Sequence, residues 1–308
     1  MLEECDVGHR VVVRHAVGPG PLLSDVLGEL VALDAERLIV RTEGGPELTI
    51  AVGNVTAAKR VPSRPARYSE IIALELVAQR CWPAPEVDRL GDWYLRAAEG
   101  WTNRANSALP LGDPARPLPE AIDACAEWYA RRNLAAKITV PLPVRRDVAR
   151  ALAAAGWIRQ PLVLVQTADA AALASGTESR ARLRPEPSDD FLAIVAARKA
   201  SLPASARSVL LGGTAVQFAE VREDGALLAI ARGAVADGWL HIGVVEVLPE
   251  ARRRGYAVDV SRALARWARD EGATRAVLQV EEENRPAVQL YARLGFSTHH
   301  TYETFRQH

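Results

Sequence analysis

The sequence predicts an α/β protein in which helices are layered on a mixed sheet, with a small all-β domain in front. Three observations support this fold class. Strand-like and helix-like segments alternate between residues 240 and 296, whereas residues 6–62 contain short strand-like runs separated by glycine turns. The third is an internal repeat, because one offset of 139 residues relates Leu109-Pro110 to Leu248-Pro249, Trp128 to Trp267, and Gly156-Trp157 to Gly295-Phe296. We therefore expect three domains, residues 1–65, 67–176 and 180–308.

The N-terminal segment is predicted to be a small β-barrel. Apolar and β-branched runs at 10–15, 27–33, 38–41 and 47–50 predict four strands, with Gly44-Gly45 as the last turn. Residues 1–65 carry seven basic and nine acidic side chains, which argues against nucleic-acid binding because that needs a positive face. A docking or peptide-binding role and a plain structural cap both stay open. The linker that follows spans residues 61–67.

Composition narrows the function classes. The 308 residues include 38 basic and 38 acidic side chains, so no net charge indicates nucleic acid or a membrane surface. The first residues lack the basic and apolar regions of a signal peptide, and no apolar run approaches the ~20 residues of a membrane helix. Cys5, Cys81 and Cys125 have no C-x-x-C spacing and are expected to be free thiols. These features predict a cytoplasmic location.

The C-terminal domain shows the clearest alternation of strand and helix. Residues 181–184 predict a strand, Ser188-Asp189-Asp190 the cap of a helix, and Glu223-Asp224-Gly225 the turn of a hairpin. A buried strand at 240–247 leads to a proline turn. Apolar residues at helical spacing then continue to Gly272, and a second strand at 276–280 and a second helix from Asn284 follow.

The turn before the first of these helices has the composition of a phosphate-binding loop. A helix N-terminus leaves its first amides unpaired and carries a partial positive charge. A small residue in the turn lets the backbone approach a ligand closely, and arginines add charge for a pyrophosphate. The predicted loop comprises Arg252, Arg253, Arg254, Gly255, Tyr256, Ala257 and Val258. For this loop alone, a solvated basic turn that caps a helix is an equal alternative.

Two motifs resemble the acetyl-CoA site of the GNAT acetyltransferase superfamily over roughly residues 181–308. They are Arg-x-x-Gly-x-Ala at 252–257 and Asn-x-x-Ala-x-x-Leu-Tyr-x-x-Leu-Gly-Phe at 284–296. The resemblance implies a GNAT fold, acetyl-CoA as co-substrate, and pantetheine on the backbone of Val245, Glu246 and Val247. It also places Asn284 in the cofactor site and implies that Tyr291 protonates the departing thiolate. The N-terminal segment resembles the SH3-like barrel that precedes some actinobacterial GNAT proteins.

The base that deprotonates the amine stays open between Glu246 and His241, acting directly or through a water. The two residues are five apart, so on a regular strand they face opposite sides of the sheet. GNAT sheets usually contain a bulge in this strand, which would turn one of the two side chains toward the other face. His241 is alternatively a packed, hydrogen-bonded core histidine.

The repeat predicts a second, degenerate GNAT-like unit at 67–176, with strand, proline turn, helix, strand, helix and strand in the same order. Arg116 replaces Gly255 and is flanked by prolines, which have no amide to donate. Arg145 replaces Asn284, and Leu152 replaces Tyr291. We therefore expect this unit not to bind acetyl-CoA but to help form the acceptor pocket. Its most site-like feature is the polar run 101–107. The alternative for this run is a strand whose polar residues face water.

The sequence thus predicts an acetyl-CoA-dependent N-acetyltransferase that acts on a primary amine of a small molecule, a protein lysine or a protein N-terminus. The alternative is an acyl-CoA-binding regulatory or scaffold protein whose barrel docks a partner. His299, His300 and His308 lack the spacing of metal ligands, so no metal is predicted. The expected partners are acetyl-CoA, the acceptor amine and a protein bound through the barrel, with neither nucleic acid nor membrane.

Overall fold

The chain comprises two units, Met1–Pro65 and Ala66–His308. The computed structural model describes residues 2–3, 6–18, 20–42, 45–61, 65–199 and 202–308. Three features named above, Cys5, Gly44 and residues 62–64 of the linker, lie outside the described residues.

Five antiparallel strands form the N-terminal unit: β1 (Arg10–Ala16), β2 (Leu23–Leu33), β3 (Arg37–Thr42), β4 (Glu47–Ala51) and β5 (Val55–Arg60). Their order is β4-β3-β2-β1-β5, and a 3₁₀ turn at Val52–Asn54 joins β4 to β5. Alternate residues such as Val11, Val13 and Val40 are fully buried in one core. The sequence does not predict β5, because its residues are all exposed or half-buried and show no alternation.

The second unit contains the remaining elements. The first ten are α1 (Tyr68–Cys81), β6 (Glu86–Leu90), β7 (Trp93–Ala97), β8 (Leu109–Pro110), α2 (Leu118–Ala130), β9 (Lys137–Leu142), α3 (Arg146–Ala154), β10 (Ile158–Arg159), β11 (Val163–Asp169) and α4 (Ala170–Ala174). The others are β12 (Arg182–Arg184), α5 (Asp189–Lys199), α6 (Ala204–Leu211), β13 (Ala215–Glu223), β14 (Ala226–Ala236), β15 (Trp239–Val247), α7 (Tyr256–Asp270), β16 (Arg275–Glu281), α8 (Arg285–Arg293) and β17 (Ser297–Arg306). The strand that the repeat predicts ahead of the proline turn is reduced to β8, and residues 101–107 form turns instead.

A mixed sheet of nine strands organises this unit and confirms the predicted fold class. Its order is β10-β17-β11-β16-β15-β14-β13-β12, with β9 also paired to β17. Strands β15 and β16 run parallel, and the other pairs are antiparallel. Strand β11 lies between β16 and β17, so strands from 67–176 and from 180–308 alternate in one sheet. The boundary predicted between residues 176 and 180 therefore falls inside a single compact unit.

The internal repeat is visible in the structure. The order α2–β9–α3 recurs as α7–β16–α8, and α3 and α8 begin and end at the same offset. In the first copy, Leu152 at the place of Tyr291 is fully buried in that copy's own core. Arg145 at the place of Asn284 forms an ion pair with Asp147 at 2.9 Å. That the first repeat does not bind acetyl-CoA stays a prediction.

Two of the three cysteines are described. Cys81 and Cys125 are free and buried. Burial raises the pKa of Cys81 to about 11 and the pKa of Cys125 to about 12, so both thiols are protonated and unreactive at neutral pH. Within the described residues, no helix has the length and apolar character needed to cross a membrane.

Candidate active site

Strands β15 and β16 separate part of the way along their length and form a fork. Their parallel pairing ends at Ile242 and Leu278. Strand β15 continues to pair with β14 as far as Val247, across a shift of register, and Val244 adopts a left-handed φ of 56°. These are the features of a β-bulge. Beyond it, the edge of residues 245–247 that faces β16 has no partner strand among those described.

The bulge changes the face of the sheet on which the side chains of β15 lie. Ile242 before the bulge and Val245 after it both pack in the cluster that contains α7. Side chains alternate along a regular strand, so an even and an odd residue share a face only because an extra residue intervenes. His241 and Glu246 consequently lie together on the opposite face.

A cavity of about 510 Å³ opens at the fork. Its walls come from β15, β16, α5, α8 and the loop at 101–104. Among the residues predicted for the site, Val245, Glu246, Asn284 and Tyr291 line it. The structure therefore gathers the predicted pantetheine strand, the predicted acid and one predicted base around a single cavity.

Glu246 presents a carboxylate at this wall. Arg198 of α5 donates a hydrogen bond to its Oε2, and the guanidinium of Arg252 lies 3.9 Å from its Oε1. The Glu246 side chain remains 24% exposed. The two arginines orient the carboxylate, and its partial exposure leaves it accessible to a ligand or a water.

His241, the other predicted base, is fully buried and does not line the cavity. Nη1 of Arg104 lies 2.7 Å from Nε2 of His241. A guanidinium can only donate, so Nε2 accepts and the neutral ring carries its proton on Nδ1. Burial, and then the charges of Arg104 and Arg232, hold the pKa of His241 well below its ordinary value. The basic nitrogen of this histidine is therefore already occupied.

Buried His241 and half-buried His299 predict stability that is sensitive to acid. The pKa of His241 is far below 6.5 in the folded protein, and burial lowers the pKa of His299 to about 4. Because the folded pKa is depressed, their stabilisation is complete above pH 6.5 and is lost as the pH falls from there towards 4. We expect the calorimetric Tm to fall over that window and His299→Gln to reduce its slope. His308→Gln is the control, and a Tm independent of pH in the wild type would contradict the prediction.

Tyr291 is a buried phenol on α8. Its ring packs edge-on against Phe296, with ring centres 5.5 Å apart, and burial raises the pKa of Tyr291 above its ordinary value. Asn284 begins this helix, since its Oδ1 accepts the N–H of Ala287 at 3.3 Å. The hydroxyl of Tyr291 therefore keeps its proton at neutral pH and lines the cavity from a rigid element.

The turn before α7 presents unpaired amides. Gly255 is the N-cap residue with a φ of 87°, and Arg253 has a φ of 62°. Among the described residues, the N–H groups of 253–257 donate to no backbone carbonyl, whereas the N–H of Val258 donates to Gly255 O at 2.9 Å. Successive free amides at a helix N-terminus can bind an anion. Val258 belongs to the predicted loop, but its amide already donates within the protein and is not available to an anion.

The three arginines of this turn differ in their surroundings. Arg254 donates to Glu223 at 2.5 Å, and the hydroxyl of buried Tyr256 donates to the same carboxylate. Arg252 lies near the Glu246 carboxylate already described. Arg253 is exposed and has no carboxylate within 4.0 Å in the described part of the chain. Arg253 is therefore the arginine most available to a phosphate.

Several cavity residues are not singled out by the sequence. Trp82, at the end of α1, and Arg198 of α5 both line the cavity. Buried Arg232 holds Trp82 in place, because its Nη1 donates to Cys81 O at 2.9 Å and its guanidinium lies 4.9 Å from the Trp82 ring. The polar run 101–107 is the part of the first repeat that the sequence does predict as site-like, and its residues 101–104 line the cavity.

The histidine pair near the C-terminus belongs to a buried network. Nδ1 of His299 lies 2.9 Å from Nδ1 of His300, and Nε2 of His300 lies 2.8 Å from Oε1 of buried Glu75. Across the residues that the structure describes, no group of three or more His, Cys, Asp or Glu side chains could hold a metal ion.

The mixed sheet, the fork and the turn before α7 define a GNAT-type acetyltransferase. A family model described as "Probable histone acetyltransferase Rv0428c C-terminal" matches residues 68–305. A second, described as "Rv0428c N-terminal Sm-like domain", matches residues 5–59, where the sequence predicts an SH3-like barrel. The chain belongs to this Rv0428c acetyltransferase family.

Known proteins agree with that assignment. The "Probable histone acetyltransferase Rv0428c" of Mycobacterium tuberculosis (strain ATCC 25618 / H37Rv) is 30% identical over 306 residues, which cover 96% of this chain and 93% of the relative. A GCN5-related N-acetyltransferase from Kribbella flavida superposes with a TM-score of 0.60 at 16% identity, over 77% of this chain and 95% of that one. A tandem GNAT protein from the clavulanic acid biosynthesis pathway superposes with a TM-score of 0.51 at 14% identity, over 80% of this chain and 90% of that one. The two solved structures show the fold, including its tandem form.

Proposed function

We propose that this acetyltransferase uses acetyl-CoA and transfers the acetyl group directly to a primary amine of a small molecule, a protein lysine or a protein N-terminus. The observation that carries the proposal is the unpaired edge of β15 at 245–247, followed by the unpaired amides of 253–257. The strand edge is suited to the amide-containing pantetheine arm. The helix N-terminus is suited to the pyrophosphate, with Arg253 beside it.

Two residues of the cavity divide the proton transfers between them. The amine nitrogen attacks the thioester carbonyl carbon, a C–N bond forms and the C–S bond breaks. Glu246, directly or through a water, accepts the proton that the amine loses, and Tyr291 gives its proton to the leaving sulfur. Glu246 fits the role of base better than His241, since His241 does not line the cavity and its Nε2 already accepts from Arg104.

Replacing the proposed base should change the pH profile as well as the rate. We expect Glu246→Gln to lower kcat/KM by roughly 100-fold or more near pH 7, as is typical for the loss of a general base. The deficit should shrink towards pH 9.5, because an amine of pKa ~10.4 then supplies more of its own neutral form. Glu281→Gln, on the facing strand of the fork, is the matched control. The assay is thiol release across pH, and an unchanged Glu246→Gln profile would remove Glu246 as the base.

A screen of amines separates this function from that of an acyl-CoA-binding scaffold protein. The enzyme should release thiol from acetyl-CoA only when an acceptor is present, and mass spectrometry should find the acetylated amine. A lysine-containing histone peptide belongs in the panel because the tuberculosis relative is named a probable histone acetyltransferase. Acetyl-CoA binding without turnover on any amine would favour the scaffold.

A further inference from the structure

Arg104 lies at the apex of the fork. Its Nη1 contacts Nε2 of His241 on β15 and Oε1 of Gln279 on β16. These two residues flank Ile242 and Leu278, the last pair before the strands separate. Arg104 also lines the cavity, and its guanidinium lies 5.2 Å from the Trp82 ring. A positive charge therefore lies where the fork opens into the cavity.

Arg104 forms no ion pair with any of the described residues, and buried Glu75 stabilises its charge only from beyond 4.0 Å. His241 is neutral and Gln279 is uncharged, and no carboxylate of the described residues lies within 4.0 Å of this guanidinium. Nε and Nη2 donate to no group in that same part of the chain, so both are available to a ligand. Arg198, the other arginine of the cavity, is by contrast paired with Glu246. A partly desolvated cation without an ion pair is costly, and a bound anion reduces that cost.

We propose that Arg104 binds a carboxylate of the acceptor, so that the substrates of this enzyme are amines that also carry a carboxylate, such as amino acids with an apolar side chain. This inference rests on the proposed acetyl transfer to an amine. A singly charged carboxylate fits better than a phosphate dianion, because Glu246 and Glu281 line the same cavity and repel added negative charge. Trp101, Ile194 and Val195 provide the apolar wall.

His241 acts in this site as a positioning residue. A protonated imidazole could not accept a hydrogen bond from the guanidinium, and its positive charge would repel that of Arg104. Neutral His241 and Gln279 both accept hydrogen bonds from Nη1 of Arg104. They thereby orient the guanidinium so that Nε and Nη2 remain available to the cavity. This gives a buried histidine at the fork a role other than that of the base.

Matched acids and amides test the proposal. The acceptors are L-phenylalanine, L-leucine and L-methionine, each compared with its C-terminal amide and with a lysine-containing histone peptide. We expect the wild type to prefer each acid over its amide by about 100-fold in kcat/KM, the scale of a lost charge-assisted contact. Arg104→Gln should abolish this preference without changing acetyl-CoA affinity, and Arg104→Lys should restore part of it. The surface variant Arg207→Gln is the control, since Arg207 pairs with Glu186 away from the cavity.

The proposal is overturned if the wild type uses amides or the peptide as well as the acids, or if the preference survives in Arg104→Gln. Should Arg104→Gln fail to unfold cooperatively, the comparison of acids with amides in the wild type decides the question. Calorimetric titration of N-acetyl-L-phenylalanine and its amide needs no turnover. If no amine is acetylated, the proposed function fails, yet tighter binding of the acid would still support the Arg104 site. Equal or undetectable binding of both would overturn it.

Discussion

Tyr291→Phe should lower kcat by about 10- to 1000-fold, because the leaving thiolate then lacks its general acid. The affinity for acetyl-CoA should change little, because the ring and its edge-on contact with Phe296 are retained. The phenol is protonated at neutral pH, as any tyrosine of ordinary or raised pKa is, so it carries the proton that the leaving thiolate needs. Single-turnover kinetics under saturating acetyl-CoA would measure the chemical step apart from product release.

A second buried tyrosine offers a matched control for this variant. Tyr129 is also fully buried, but its hydroxyl donates to Arg96 O at 3.0 Å in the core of the first repeat. Tyr129→Phe loses the same oxygen and should reduce stability without reducing kcat. A wild-type kcat in Tyr291→Phe would remove Tyr291 from the mechanism. An equal loss of kcat in both variants would show that the effect is structural.

Gly255→Val should weaken acetyl-CoA binding by at least about 100-fold. The φ of Gly255 is 87°, a left-handed conformation that costs a β-branched residue roughly 1–3 kcal/mol. If the turn relaxes from this conformation, the amides of 253–257 no longer converge on the proposed pyrophosphate position. The loss of two charge-assisted hydrogen bonds, each about 1.5–3 kcal/mol, accounts for that decrease in affinity. Isothermal titration calorimetry of acetyl-CoA measures it.

Gly272, at the other end of α7, provides the control. Its φ is 84°, and no atom lies within 4 Å of the position of an added Cβ. Gly272→Val should therefore lower the Tm through the same backbone strain and leave acetyl-CoA affinity unchanged. Wild-type affinity in Gly255→Val would contradict the loop assignment. Two binding sites in the wild type would contradict the prediction that the first repeat binds no acetyl-CoA.

Much of the fold could be predicted because its signals are local. The spacing of apolar residues before Gly272 predicts α7, and Gly255 predicts the turn, since both depend on neighbours along the chain. The repeat shows in the sequence because the two copies keep one offset. Strand β5 and helix α6 are not predicted.

The sheet order could not be predicted in the same way. Strand β11 is the last strand of the first repeat but pairs with β16 and β17 of the second. An apolar run indicates a buried strand but does not specify its partner, which depends on how the two repeats pack together. For this reason the boundary near residue 176 follows the repeat in the sequence and not the sheet.

The sequence alone showed the GNAT motifs. It also predicted the phosphate loop, the role of Tyr291 and the degeneracy of the first repeat, because each prediction depends on residue types at particular positions. Only the tertiary structure decided which predicted base faces the cavity. The bulge at Val244 places both on one face of the sheet, where Glu246 lines the cavity and His241 is buried against Arg104. It also brought Arg104 to His241 across 137 residues of chain. Such contacts depend on how distant segments pack, and no local pattern records them.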